Sequence, residues 1–379
     1  MDYWLTKFGG WEFDRYRLDF PWDNSKVRTS QTGSPQLEPL RAGSKREWDA
    51  QRSAVRRALE SVLGPMPRQS GPLDAKVLEE VQQDGYRQLK ITYRADADEE
   101  IPAYLLIPDA AGRRTTGSRT NANLSTRNSQ LPAVICLHQT VPWGKREPCG
   151  LEGNKDLAFA AELVKRGYVC LAPDAICFGE RYKAGTPYAH YGDAVAFFAR
   201  HPNWSVMGKM AFDVRRAVDY LQTLPYVNKN EIGCIGHSHG AYGTLFAMLY
   251  EPRIRAGVHS CGFSALRSDP KPERWWRLTA LMPRLGWWEG HMEQTPFDFH
   301  HLIALLAPRA QFVNCALKDS IFPNTDNVPW MVDQARQVYA VYNRPDAIRS
   351  HIYLGAHQFA QDARDEAYRF LDDHLRRKQ

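Results

Sequence analysis

The fold is decided by the segment Glu231–Ala241, Glu-Ile-Gly-Cys-Ile-Gly-His-Ser-His-Gly-Ala. Its first five residues form an apolar, strand-like run, and the residues that follow it up to Tyr250 have a helix-like composition. The G-x-S-x-G between them predicts a sharp strand-to-helix turn that lifts the Ser238 hydroxyl above the edge of a sheet. Side chains at positions 236 and 240 would collide with the adjoining strand and helix, so both are glycine. We therefore predict that Ser238 is a nucleophile; the alternative is a chance match in a turn.

On both sides of this turn, strand-like runs alternate with amphipathic helical patterns. The strand candidates are Lys76–Val81, Tyr86–Tyr93, Ile101–Ile107, Ala133–Leu137, Tyr168–Ala172, Glu231–Ile235, Ala256–Ser260, Gln311–Ala316 and His351–Leu354. Helices are predicted near residues 155–166, 204–222, 241–250, 328–342 and 361–376. The later strands are continuously apolar, as expected where helices cover both faces of a sheet. This alternation predicts an α/β fold with a doubly wound, mostly parallel sheet that begins with antiparallel strands.

The remaining segments are predicted as additions to one catalytic domain. Residues 1–75 form an N-terminal accessory segment whose single clear helix begins after Ser44 and ends before Pro65. Residues 76–379 form the catalytic domain. Within it, residues 110–131 are rich in Gly, Ser, Thr, Asn and Arg, which predicts a mobile surface loop. Residues 263–300 interrupt the strand–helix alternation, which predicts a lid-like insertion near the site.

Composition excludes several classes of protein. The chain has 379 residues, 43% hydrophobic and 24% charged, which is typical of globular domains. The net charge of +6 is concentrated in the arginines of the predicted loop, so we expect no nucleic-acid partner. We also expect no membrane partner and a cytoplasmic location, because no long apolar run or signal-peptide pattern occurs. The seven cysteines lack the spacing of a disulfide framework or a zinc site. The oligomeric state remains open.

A serine nucleophile requires a general base and an acid that orients the base. Asp319 directly follows the strand Gln311–Ala316, and His357 lies in the loop after His351–Leu354. The order Ser, Asp, His, with each residue after a strand, predicts that Asp319 orients His357 as the general base. Asp326, seven residues farther along a polar loop, is the competing acid.

The remaining candidate residues surround this triad. The backbone amides of His239 and Thr140 are predicted to form the oxyanion hole, with the amide of Gln139 as an alternative to Thr140. Lys145 could equally belong to a solvated charge cluster, and the tryptophans of the insertion could equally form the insertion's own core. His300 and His301, near a helix start, remain open as substrate contacts. The candidate substrate-binding residues are Gln139, Trp143, Lys145, His237, Trp275 and Trp276.

From about residue 100 to its end, the chain resembles a known family. The matching features are Leu-His-Gln-Thr-(x)3-Gly-Lys from Leu137, the stretch 166–174, Gly-His-Ser-His-Gly-Ala-Tyr-Gly from Gly236, Ser260-Cys-Gly262, Leu306-Ala-Pro-Arg309 and the C-terminal Gly-x-His. In these features the chain resembles the α/β hydrolases related to dienelactone hydrolase, in the bacterial branch of acetyl xylan esterases.

The resemblance implies an α/β-hydrolase fold with the triad Ser238, Asp319 and His357 and with Asp174 as a structural residue. It also implies hydrolysis of carboxylic esters through an acyl-enzyme, with no metal and no cofactor. The expected substrates are small acyl or acetyl esters, including esters of sugars. Two alternatives remain open: a prolyl-oligopeptidase-like peptidase, and a non-catalytic binding protein on the same fold.

Overall fold

The computed structural model describes residues 38–67, 71–96, 99–109, 130–182, 194, 197–276 and 281–376. Most of the predicted loop at residues 110–131 therefore lies outside the described residues, as does the first half of the predicted accessory segment. The division into residues 1–75 and 76–379 stays a prediction. None of the helices formed by the described residues is both long and apolar enough to cross a lipid bilayer.

All nine predicted strands are present, and they form one nine-stranded sheet. Their bounds agree with the predicted ones to within four residues, which is the usual precision of boundaries derived from sequence. In chain order they are β1 Lys76–Gln83, β2 Tyr86–Arg94, β3 Glu100–Pro108, β4 Leu131–Leu137, β5 Val169–Pro173, β6 Val227–His237, β7 Ile254–Ser260, β8 Ala310–Ala316 and β9 Ile348–Tyr353.

The strand order in the sheet is β1-β2-β3-β5-β4-β6-β7-β8-β9. The pairs from β1 to β5 are antiparallel, and the pairs from β5 through β4 to β9 are all parallel. This confirms the predicted sheet with its antiparallel start. The parallel strands β6, β8 and β9 end at the same edge of the sheet, so the loops that follow them meet there.

Helices cover both faces of the sheet. The helices whose bounds the described residues define are α1 Lys45–Leu63, α2 Phe159–Lys165, α3 Val206–Leu221, α4 His239–Tyr250, α5 Phe299–Leu305, α6 Val328–Val341 and α7 Gln361–Leu375. Helices α2 and α7 contribute to the core on one face, and α1, α3, α4, α5 and α6 contribute to the core on the other. Strand β4 is continuously apolar because its successive side chains enter two different cores. Ile135 lies in one core, and its neighbour Cys136 lies in the other.

Helix α1 packs into the core that also contains α3, α4, α5 and α6. The Ser44 hydroxyl accepts a hydrogen bond from the Glu47 amide over 3.3 Å, which confirms the predicted helix start. Trp48 is completely buried, with Val55 and Leu59 on the same face. The helix ends at Gly64, whose φ of 84° lies in the left-handed region that favours glycine.

The segment between β7 and α6 differs from the other crossovers. It contains the 3₁₀ turns Pro272–Trp275, Pro283–Trp288 and Met292–Gln294 before α5. Helix α5 is absent from the predicted helices, although a helix start was expected near His300 and His301, because its seven residues are too few to give a periodic pattern. It begins at Asp298, whose side chain accepts from the Phe299 amide, while His301 accepts in return from the Asp298 amide. His300 and His301 are both buried in this helix.

Candidate active site

Ser238 lies at the sharp turn between β6 and α4. Its backbone has φ 54° and ψ −115°, a conformation that non-glycine residues rarely adopt and that needs support from its surroundings. That support comes from hydrogen bonds on both sides, from the Ser238 amide to the Ser260 carbonyl (2.8 Å) and from the Ala241 amide to the Ser238 carbonyl (2.9 Å). Ser238 itself is partly exposed, whereas His237 and His239 on either side are buried. The turn thus presents the hydroxyl outward, at the N-terminus of α4.

The two glycines of the turn are required by close backbone contacts. A Cβ atom on Gly236 would overlap the backbone of Gly240, and a Cβ atom on Gly240 would overlap the carbonyl of Leu137 on β4. Helix α4 therefore begins directly against the strands beneath it. Any side chain at either position would push the helix away from the sheet.

Asp319 and His357 meet at the edge of the sheet where β8 and β9 end. Asp319 Oδ2 lies 2.6 Å from His357 Nδ1, which is the distance of a hydrogen bond. The other carboxylate oxygen, Oδ1, accepts from the amides of Ile321 (2.8 Å) and Phe322 (3.0 Å). The Asp319 side chain is fully buried, and the His357 side chain is 14% exposed. The carboxylate is therefore fixed by the backbone on one side and faces the imidazole on the other.

Asp326, the competing acid, lies in a different environment. It is exposed in the 3₁₀ turn Thr325–Asn327, and its carboxylate accepts from the Asn327 side chain over 3.3 Å. The structure thus places Asp319, and not Asp326, against His357.

The His357 ring lies next to the serine turn. Its centroid is 4.7 Å from that of His237, the residue before Ser238. Among the hydrogen bonds of the described residues there is none between Ser238 Oγ and His357, and such bonds often form only when substrate binds. The three predicted catalytic residues are thus brought to one edge of the sheet, with the acid–base pair already hydrogen-bonded.

His138 fixes the orientation of the loop that carries the second predicted oxyanion donor. The Ala175 amide donates to His138 Nε2 over 3.0 Å, so the ring proton is on Nδ1. Nδ1 lies 2.6 Å from the Gln139 carbonyl and donates to it. In a trans peptide the N–H points opposite to the C=O, so the Thr140 N–H points away from His138. In the described part of the chain, the amides of Gln139 and Thr140 have no hydrogen-bond partner, so both remain available as donors.

The same loop is held from below by Asp174. This buried carboxylate accepts from the Lys145 amide (2.8 Å) and from Lys145 Nζ (2.5 Å), and also from the Glu180 amide (2.9 Å). The structural role implied for Asp174 agrees with these contacts. The prediction that Lys145 contacts substrate is corrected, because its side chain is only 2% exposed and is paired with Asp174 and Glu180.

One group of side chains at the site has the composition of a metal site. Cys261, Asp319 and His357 each offer a ligand atom, and these atoms lie within 4.8 Å of one another. Two of the three, Asp319 Oδ2 and His357 Nδ1, are the partners of the hydrogen bond described above. A metal held by all three would have to displace that proton.

With this geometry in place, comparison with known proteins identifies the family. A family model described as the Abhydrolase family matches residues 31–263, which include the serine turn and the loop after β4. The chain belongs to the Abhydrolase family.

Relatives of this Abhydrolase member include two curated proteins. It is 24% identical over 331 residues to "Putative hydrolase YtaP" of Bacillus subtilis (strain 168), a match that covers 86% of this chain and 100% of that protein. It is 27% identical over 124 residues to "Carbohydrate esterase MZ0003" from an unknown prokaryotic organism. That second match covers 31% of this chain and only 29% of the esterase.

Two solved structures show the same fold. The glucuronoyl esterase from Solibacter usitatus has a TM-score of 0.63 at 18% identity, over 92% of this chain and 99% of that one. A protein from Bacteroides fragilis NCTC 9343, described as a putative acetyl xylan esterase, has a TM-score of 0.61 at 19% identity. The latter match covers 85% of this chain and 79% of the other. The predicted α/β-hydrolase fold is thus confirmed.

The tryptophans predicted to contact substrate lie in the core of this Abhydrolase member. Trp275 is 2% exposed and Trp276 is 6% exposed. The Trp275 ring packs against Tyr242 of α4 and Phe299 of α5, with centroids 5.3 Å and 5.1 Å away. The expectation of stacking on a substrate is therefore corrected, and the alternative, an apolar core for the insertion, describes both residues.

The other predicted binding residues have mixed environments. His237 is buried, and its Nδ1 is 2.9 Å from the Ser260 hydroxyl, so it supports the site from beneath. Burial, with a smaller effect from His357, lowers the pKa of His237 well below its usual value, which keeps this imidazole neutral. The side chain of Gln139 is partly exposed and donates to the buried Glu147 over 3.1 Å. Trp143 is partly exposed, and substrate contact for Gln139 and Trp143 stays a prediction.

Several polar residues that support the site were not predicted. Asn314 Nδ2 donates to the Ser260 hydroxyl over 2.9 Å, and this hydroxyl in turn meets His237. Asn314 could have been recognised as the single amide in the otherwise apolar end of β8, because a buried amide needs partners.

Proposed function

We propose that this protein is a serine esterase that hydrolyses carboxylic esters of carbohydrates through an acyl-enzyme on Ser238. The observation that carries the proposal is the hydrogen bond between Asp319 and His357 next to the serine turn. A buried carboxylate that orients an imidazole beside a partly exposed serine is the arrangement that activates a hydroxyl for attack.

In the proposed reaction, Ser238 Oγ attacks the ester carbonyl while His357 Nε2 accepts the hydroxyl proton. Asp319 holds the Nδ1–H of the ring and stabilises the imidazolium that forms. The negative charge on the carbonyl oxygen is stabilised by the amides of His239 and Thr140. His357 then gives its proton to the departing alcohol, which leaves an acyl group on Ser238. Water, activated by the same imidazole, releases the acid and restores the serine.

The names of the relatives support a carbohydrate substrate. One relative is a carbohydrate esterase, and the similar folds belong to a glucuronoyl esterase and to a protein described as an acetyl xylan esterase. An acetyl xylan ester and a glucuronoyl ester carry the sugar on opposite sides of the ester bond. In an acetyl ester the sugar is the alcohol that leaves, whereas in a glucuronoyl ester the sugar acid remains on the serine. We propose acetyl esters of sugars as the substrates, as the sequence motifs imply.

The experiment is a comparison of the wild type with Ser238→Ala on three substrates: an acetylated xylo-oligosaccharide, the methyl ester of glucuronic acid and a proline-containing peptide amide. We expect turnover of the acetylated sugar by the wild type and a loss of at least about 10⁴-fold in Ser238→Ala. Faster cleavage of the glucuronate ester would mean that the sugar is the acid of the ester and not the alcohol. Cleavage of the peptide alone would favour a peptidase. No turnover of any ester would contradict the proposed function.

A further inference from the structure

The loop that carries His357 is fastened by the hydroxyl of one tyrosine. Tyr353 is the last residue of β9, and the loop follows directly. Its hydroxyl lies 2.9 Å from the Ala356 carbonyl and 2.7 Å from the Gln358 carbonyl. These two carbonyls belong to the residues immediately before and after His357. The hydroxyl has one proton, so it donates either to the nearer carbonyl, that of Gln358, or to both carbonyls in a shared, bifurcated bond. In both cases one side chain anchors the backbone next to the candidate general base.

Gly355 in this loop leaves room for the Tyr353 ring. The Tyr353 ring folds back under Gly355, where a Cβ atom would lie 2.5 Å from the ring. Glycine at this position is therefore needed for the tyrosine to reach the carbonyls beyond it. Burial raises the pKa of the Tyr353 hydroxyl, so its proton is retained at all pH values at which the protein would work.

The Gln358 carbonyl also connects the loop to the neighbouring strands. Asn314 Nδ2 on β8 lies 3.4 Å from this oxygen, and Cys261 Sγ, just after β7, lies 3.5 Å from it. These contacts are longer than the one from Tyr353, which is therefore the closest donor to that oxygen.

The same tyrosine also adjoins the loop that carries Asp319. The Leu317 amide donates to the Tyr353 carbonyl over 2.9 Å, and the Lys318 amide donates to the Gly355 carbonyl over 2.9 Å. The backbone before Asp319 is thereby aligned with the backbone before His357. These two backbone bonds involve the carbonyls of Tyr353 and Gly355 only. The Tyr353 hydroxyl acts farther along the loop, at the carbonyls of Ala356 and Gln358.

We propose that Tyr353 is a positioning residue for the general base: its hydroxyl holds His357 in the orientation in which Nδ1 meets Asp319 and Nε2 faces Ser238. The inference rests on the proposed function. Tyr353 does not touch the reacting atoms. It acts by limiting the rotation and displacement of the imidazole, and small displacements of a catalytic group can reduce turnover by about 100-fold.

The test is Tyr353→Phe, which removes the hydroxyl and keeps the ring against Gly355. The matched control is Tyr339→Phe in α6, whose hydroxyl likewise donates to a backbone carbonyl, that of Arg309. Arg309 directly precedes β8, at the opposite end of that strand from Asp319. We expect kcat on an acetyl ester to fall between about tenfold and 100-fold in Tyr353→Phe, with KM changed less than about twofold. Tyr339→Phe should lose thermal stability but keep its kcat.

A second readout is independent of turnover. The proton shared by His357 Nδ1 and Asp319 should give a downfield resonance in the proton NMR spectrum, which the Asp319→Asn spectrum assigns by its loss. We expect this resonance to broaden or shift in Tyr353→Phe and to remain in Tyr339→Phe. An unchanged resonance together with a kcat within about twofold of the wild type would overturn the positioning role. A wild type that is inactive on every ester, together with the expected change of the resonance in Tyr353→Phe, would contradict the proposed function and not the positioning of His357.

Discussion

At the scale of single residues, the proposed activity depends on which carboxylate orients His357. Asp319 divides its two oxygens between two backbone amides and the imidazole, and it is fully shielded from water. Asp326 is exposed and pairs only with its neighbour Asn327 among the described residues. A carboxylate fixed in this way can hold the imidazole in the tautomer that leaves Nε2 free to accept a proton.

We predict that Asp319→Asn lowers kcat by up to about 10⁴-fold with little change in fold, because the amide favours the wrong tautomer of His357. Asp326→Asn is the matched control and should change kcat less than about tenfold. Both variants are to be measured on one acetyl ester between pH 6 and 9, with circular dichroism as the check on folding. An inactive Asp326→Asn beside an active Asp319→Asn would mean that the acid is wrongly assigned.

At the scale of elements, the turn from β6 into α4 couples packing to chemistry. Gly240 lies where a Cβ atom would overlap the Leu137 carbonyl of β4, so the helix can approach the sheet only without a side chain there. Gly243, one turn farther along α4, is different. A Cβ atom there would lie 3.3 Å from the ends of the Leu137 and Met210 side chains, which can move.

We predict that Gly240→Ala destabilises the protein by about 1–3 kcal/mol and lowers kcat, because the clash with backbone displaces the N-terminus of α4. Gly243→Ala should be nearly neutral or slightly stabilising, since alanine favours a helix by about 1 kcal/mol over glycine. Urea unfolding and ester turnover of both variants measure the two effects. Equal stability of the two variants would show that the helix can shift without cost.

Comparison of the elements shows what the sequence could predict. The later strands were identified because continuously apolar runs separated by helical patterns leave few alternatives. The positions of Ser238, Asp319 and His357 follow from the ends of three of these strands. Helix α5 was missed because it is short. The burial of Lys145, Trp275 and Trp276 could not be predicted, since it depends on partners distant in sequence, such as Asp174 and Phe299. Residue type alone does not distinguish a buried ion pair or core aromatic from a substrate contact.

At the scale of the whole molecule, a buried ionic network joins the antiparallel start of the sheet to its parallel part. Glu99, just before β3, pairs with Arg181 after β5 (2.5 Å) and with Lys209 of α3 (2.8 Å). Asp213 of α3 pairs with Arg181 (2.7 Å) and Lys209 (2.5 Å). Burial by itself would raise the pKa of Glu99, but Arg181 and Lys209 outweigh it and lower that pKa from 4.5 to about 2.

We predict that Glu99→Gln lowers the free energy of unfolding by about 3 kcal/mol near neutral pH, because it leaves buried cations short of a partner. A carboxylate with a lowered pKa stabilises the fold above its unfolded pKa of 4.5, and that contribution is lost as the pH falls towards about 2. The difference between wild type and Glu99→Gln should therefore be constant above about pH 5 and shrink below it.

The control is Glu100→Gln, which removes a carboxylate that pairs with Lys76 on the surface, where both side chains are at least 40% exposed. This variant should lose less than about 1 kcal/mol at any pH. Urea unfolding as a function of pH measures both variants. A difference for Glu99→Gln that stays constant down to pH 3 would show that Glu99 does not carry the pH dependence.

Reaction of the whole protein with a fluorophosphonate tests whether Ser238 is the activated nucleophile. The reagent bonds covalently to a serine only when a base has activated its hydroxyl. Intact-mass spectrometry after brief exposure should show one adduct on the wild type, located by peptide mapping on Ser238, and none on Ser238→Ala. An unmodified wild type, or an adduct that persists in Ser238→Ala, would contradict the account.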